Sequence, residues 1–211
     1  MNKVTLSGND GFWTRVRTAL SGGPGGMVPA YGQSSIHHPG KKARPAQLID
    51  DDLRRGWTEA AERKVSLCVL ALEMDGYAEY FAAYGRDALE DGLGRLEEAI
   101  GEILPREDFG CLRSGRAGFM LILPDMPGIM GREMAARIAR AVRREGLPHR
   151  ESHAGHVTLS MGLAVVNPEG PVNRDVLEGA RQAVAKAQRR GIGRLEIVDY
   201  RVLNDKRQKA A

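Results

Sequence analysis

Apolar runs and amphipathic stretches alternate along the chain, and the alternation divides it into elements. Residues 65–74, VSLCVLALEM, form a continuous apolar run that closes on an acidic residue, the pattern of a central strand buried on both faces. DGYAEYFAAYG, residues 75–85, reads as a helix ended by Gly85. Leu89, Leu93, Leu96, Ile100 and Ile103 then recur at helical spacing as far as Pro105. Residues 109–124 read as a two-stranded hairpin with a Gly-containing turn. After it, Pro124 and Asp125 open a helix whose apolar stripe is Met130, Met134, Ile138, Ala141 and Val142. HVTLSMGLAVV is a strand, NRDVLEGARQAVAKAQRRG a helix, and GRLEIVDY a last strand. Ahead of them all, DDDLRRGWTEAAERK, residues 50–64, is a helix, acidic at its start and basic at its end as the helix dipole prefers.

The order is helix, β, α, α, β, β, α, β, α, β. Two βαβ-like halves around a hairpin imply an α+β fold of ferredoxin-like or polymerase-palm type: a central, mostly antiparallel sheet flanked by helices. No internal repeat is visible.

Upstream, SGGPGGMVPAYGQSSIHHPGKKARP (residues 21–45) has no apolar periodicity and reads as a linker. In the head before it, Asp10 can cap a short helix with Phe12, Trp13, Val16 and Leu20 on one face. Such a helix needs a surface to lie on: its own domain, a partner or a headgroup layer. The expected organisation is residues 1–47 as amphipathic segment plus flexible basic linker, 48–200 as the folded domain, and 201–211 as a basic tail.

Charge sharpens this picture. Residues 1–47 carry six basic side chains against Asp10, a net +5, and residues 200–211 a net +3, so with +4 over the whole chain the body is mildly acidic at −4. The high overall basicity is therefore no sign of a nucleic-acid groove, and no nucleic-acid partner is expected. Aromatic residues make up only 5%, which points to an aliphatic core. Cys68 and Cys111 sit in apolar runs, which suits a reduced, cytoplasmic protein. No segment approaches the length of a membrane span and no signal-peptide pattern opens the chain, so integral membrane association is not expected.

Several strings together resemble one family. LALEMDGYAEYFAAYG resembles the strand and helix that read roughly LDIDHFKxINDxYG in diguanylate cyclase (GGDEF) domains. RSGRAGF stands where that family has RxGGDEF, and VTLSMGLAV and ARQAVAKAQRRGIGRL resemble its VTVSIGVA strand and its ADxALYxAKxxGRNRV ending. The resemblance runs from about Leu53 to Tyr200. It implies a domain that condenses two GTP molecules into cyclic di-GMP between two facing copies, with two divalent cations, and hence a homodimer.

Carried over position by position, the family's first metal-binding Asp corresponds to Glu73, its guanine-reading Asn to Phe81 and the assisting Asp to Glu90. In the hairpin Gly115 keeps the first glycine; the second is Arg116, the metal-binding acid Ala117, the next Glu Gly118, and the Phe remains as Phe119. The phosphate-binding Lys corresponds to Gln188 and the Arg four residues on to Ile192. Several electrostatic partners are replaced at once, and each such loss commonly costs on the order of a hundredfold in rate. The expectation is a pseudoenzyme that is not a working cyclase, with no metal and no cofactor.

The family's product-binding RxxD motif corresponds to REDF, with Arg106 in place, Phe109 at the Asp position and Asp108 one residue early; the partner Arg on the following helix corresponds to Arg137. On a strand a one-residue shift faces the other way, so Asp108 can substitute only if the segment is loop. Two readings stay open: a cyclic di-GMP effector using Arg106, Asp108 and Arg137, or a ligand-independent docking module for an unidentified protein partner, with the stripe Tyr77, Tyr80, Phe81 and Tyr84 as contact surface. Turnover of GTP by Glu73 and Asp75 is a third, disfavoured reading. His149, His153 and His156 lack a neighbouring acidic or thiol cluster, which speaks against zinc.

Overall fold

The computed structural model describes residues 44–201; the head helix, nearly all of the linker and the tail beyond Arg201 lie outside the described residues. Helix α1 spans Pro45–Arg63 and starts ahead of the expected Asp50, because proline fits the first helical turn, where its missing N–H has no intrahelical acceptor. Then come β1 (Leu67–Met74), α2 (Tyr77–Gly101), β2 (Leu112–Ser114), β3 (Gly118–Pro124), α3 (Gly128–Glu145), β4 (Leu159–Val166), α4 (Asp175–Arg189) and β5 (Leu195–Asp199). Gly85 breaks α2 as expected, with φ 79 and ψ −176, but the helix resumes at once on the far side.

The five strands lie in the order β2-β3-β1-β4-β5. All pairings are antiparallel except β4 with β5, which run parallel and are joined through α4. The structure thus has the expected α+β architecture.

The apolar run of β1 is continuous because the strand is central and covered twice. Cys68, Leu70, Leu72 and Met74 face a cluster containing Leu93 and Leu96 of α2 and Met134 and Ile138 of α3. Leu67, Val69 and Ala71 face the opposite cluster, with Leu53 and Trp57 of α1 and Ala180 and Val184 of α4. Gly162 of β4 lets α4 come this close: a Cβ there would collide with the carbonyl of Ala180 and lie 2.6 Å from the nitrogen of Val184.

Two local expectations are corrected. Met130 is 52% exposed and leaves the stripe of α3. Its place is taken by Gly131, which packs so tightly on the sheet that a Cβ would sit 2.8 Å from the Cys68 sulfur. The outer hairpin strand is also shorter than expected, so Cys111 stands outside it and is only partly buried.

Candidate functional site

The end of β1, the β2–β3 turn and the end of α4 meet around an open cleft of about 680 Å³, lined by Glu73, Glu79, Gly115, Arg116, Gln188 and Ile192 among others. Register places Glu73 opposite Gly118 of β3 and Ser160 of β4. The turn is tight: Gly115 has φ 64, and a Cβ on Gly118 would run into the carbonyl of Leu72. Ala117, also at the cleft, is buried, while Arg116 is exposed.

Two of the expected positions stand apart from the cleft. Phe81 is exposed on α2 beside Tyr77, with ring centroids 6.1 Å apart. Glu90 pairs with Arg113 at 3.1 Å, and Glu97 holds the same guanidinium at 3.2 Å. Glu79, by contrast, was not a candidate. No motif marks it, and only its place in the first turn of α2 hints that it joins Glu73.

Asp75 is withdrawn from chemistry in the cleft. It is 5% exposed, and its carboxylate accepts hydrogen bonds from Ser160 Oγ at 2.6 Å, Thr158 Oγ1 at 2.7 Å and Gly193 N at 2.7 Å. Those donors join β1 to β4 and to the chain entering β5. The pairing of Glu73 with Asp75 is therefore not available to a substrate.

The two-cation arrangement implied by the resemblance does not fit these residues. Of the two implied ligand positions, Glu73 still brings a carboxylate to the cleft, but Ala117 offers no ligand. Among the described residues no three His, Cys, Asp or Glu side chains are grouped to hold a metal. His149 is buried and its Nε2 contacts the carbonyl of Gly76 at 3.1 Å, and His156 Nδ1 lies 2.8 Å from the carbonyl of Ala154.

A second constellation lies ahead of β2. Arg106 forms a bidentate pair with Asp108 (2.9 and 2.6 Å), a further bond to Glu59 of α1 at 2.8 Å, and lies 4.7 Å over the ring of Phe109. Asp108 is in a turn, and Phe109 is buried. Hydrogen bonding to Arg106 holds the carboxyls of Glu59 and Asp108 below the usual range, and the same bonds, that to Asp108 foremost, raise the guanidinium. Arg137 of α3 donates to the carbonyl of Ile103 at 2.8 Å.

The family model described as "Diguanylate cyclase, GGDEF domain" matches residues 46–194. No curated protein matches the sequence. Solved structures do: the active GGEEF domain of a diguanylate cyclase from Vibrio cholerae, 19% identical over 71% of this chain and 94% of that one, has a TM-score of 0.61. The GGDEF domain of DgcB from Caulobacter crescentus in complex with c-di-GMP is 24% identical over 71% and 87%, with a TM-score of 0.62. Diguanylate cyclase SiaD in complex with its activator SiaC, from Pseudomonas aeruginosa, is 21% identical over 73% and 58%, also at 0.62. At these identities the structures show the fold. The family match, covering most of the chain, shows the family: the chain belongs to the diguanylate cyclase GGDEF domains. It also corrects the expectation that the chain is no enzyme, since the match is to an enzyme family and spans both the hairpin and the cleft.

Proposed function

We propose that this GGDEF domain works in cyclic di-GMP signalling by binding the dinucleotide at Arg106, Asp108 and Arg137. The observation that carries the reading is the bidentate pairing of Arg106 with Asp108. The segment is a turn rather than a strand, and in it Asp108 lies beside Arg106, so donor and acceptor stand together despite the shifted register.

The chemistry suits a guanine edge. A guanidinium donates in parallel to the O6 and N7 acceptors of guanine, and a carboxylate accepts from the N–H groups on the same base. The Phe109 ring holds the Arg106 plane from below. Asp108 and Glu59 both lie on the same guanidinium, so a bound base shares or displaces those contacts. Arg137 supplies a further cation for phosphate. The c-di-GMP complex of the Caulobacter domain, a relative in fold, supports this class of ligand.

Isothermal titration calorimetry of the full chain with cyclic di-GMP tests the reading, with GTP plus magnesium as control titrant. Micromolar or tighter binding that disappears in Arg106→Ala is expected. No heat with cyclic di-GMP overturns it and turns attention to the exposed Phe81 as a protein contact.

A further inference from the structure

Helix α3 concentrates unpaired positive charge on its outer side. Gly131, Met134, Ala135, Ile138, Ala141 and Val142 are its buried positions. At 100° per residue this leaves Arg140, Arg143 and Arg144 pointing to solvent, with Arg132 on the flank. Among the described residues none of these four arginines has a carboxylate partner. On α1, by contrast, Arg54, Arg55 and Arg63 each meet an acid of their own helix. Of the two acids of α3, Glu145 is taken by Arg95 at 3.0 Å, and Glu133 is exposed on the outer side, where it offsets only one of the positive charges. Arg140, Arg143 and Arg144 also line an open groove with Arg137 and Ile103.

The same helix carries two exposed apolar side chains in its first turn: Ile129 is 79% exposed and Met130 52%. Ile129 shares the outward direction with Arg140, eleven positions on, close to three full turns. The complementary partner is a polyanion, and two kinds compete. A nucleic acid would want aromatic side chains among the cations for base stacking, and α3 has none. An anionic bilayer wants cations for its headgroups and a few apolar side chains for the acyl boundary, which is what this face presents.

We infer that α3 is a peripheral docking face for anionic phospholipid, with the arginines on the headgroups and Ile129 and Met130 entering the boundary. This places the domain on a bilayer without a spanning segment: among the described residues no helix is long and apolar enough to cross a membrane. The inference does not depend on cyclic di-GMP binding at Arg106.

The test is co-sedimentation of the full chain with vesicles of phosphatidylglycerol and phosphatidylcholine, against phosphatidylcholine alone, at low and high salt. Binding to the anionic vesicles is expected, weakened by salt. The double variant Arg140→Glu with Arg144→Glu should lower partitioning about tenfold or more, and the milder Arg140→Gln with Arg144→Gln should lower it less, with melting curves confirming the fold. Ile129→Ser should remove the part of the binding that survives salt. Unchanged binding of the double variants would assign the attraction to the basic ends of the chain and overturn the proposal. So would retention of a single-stranded oligonucleotide by α3 without retention of vesicles.

Discussion

The carboxylate of Asp75 accepts a hydrogen bond from the hydroxyl of Ser160 at 2.6 Å, and the pair fastens the end of β1 to β4. Thr158 and Gly193 complete the set of donors. Asp75→Ala leaves three donors facing an apolar gap and is expected to lower the unfolding free energy by about 3 kcal/mol. Asp75→Asn, which keeps one acceptor oxygen, should cost less. Urea denaturation ranks the two, and an alanine variant as stable as the parent would show that Asp75 is dispensable to the fold.

Two glycines should respond differently to the same added methyl group. At Gly162 the Cβ meets the backbone of α4, which cannot yield without moving the helix, so Gly162→Ala is expected to cost about 3 kcal/mol or more. At Gly115 nothing lies within 4 Å, but φ is 64, so Gly115→Ala pays only the left-handed backbone term of about 1–2 kcal/mol. Thermal melts should therefore place Gly162→Ala well below Gly115→Ala.

The triad of Glu59, Arg106 and Asp108 makes stability depend on pH in a definite direction. Both carboxyls hold their protons more weakly when folded, so the unfolded chain binds more protons as acid is added. Their contribution is complete above the ordinary carboxylate range of about 4, and it is lost as pH falls through the lowered folded values. Arg106→Gln removes the cause. Urea midpoints from neutral to acid pH should then be lower at neutrality and fall less steeply below about pH 5.

Burial pushes the thiols of both Cys68 and Cys111 up to about 12. Cys68 also donates to the carbonyl of Met126 at 3.2 Å. Neither is a thiolate at neutral pH, so the native protein should react with a chromogenic disulfide reagent far more slowly than the chain in urea. Immediate labelling of both thiols in the folded protein would contradict the packing described for Cys68.

The elements were legible because the sheet is covered on both faces and its strands are written as long apolar runs. The phase of α3 was harder to read. Gly131 makes its closest approach to the sheet, and a glycine adds nothing to a hydrophobic pattern, so Met130 took its place in the stripe. At the site, spacing shows Glu73 and Asp75 as a pair of carboxylates. The donors that claim Asp75 come from Thr158, Ser160 and Gly193, remote in sequence and close only through strand pairing. Whether Asp108 could stand in for the Asp one position later turned on a loop that no periodicity encodes. The expectation of a non-enzyme weighed individual substitutions in a motif, whereas the family match weighs the length of the domain.

The sheet has two rims, and neither invites another chain. Strand β2 offers only three residues of free backbone, with Arg113 in the middle tied to Glu90 and Glu97. Strand β5, on the other side, is five residues long, and Glu196 within it is gripped by Lys186 and Arg190. Short, charged borders deny a neighbour the flat ladder that fibril growth requires. The domain should accordingly stay dispersed at concentrations where an open sheet with long bare borders would aggregate.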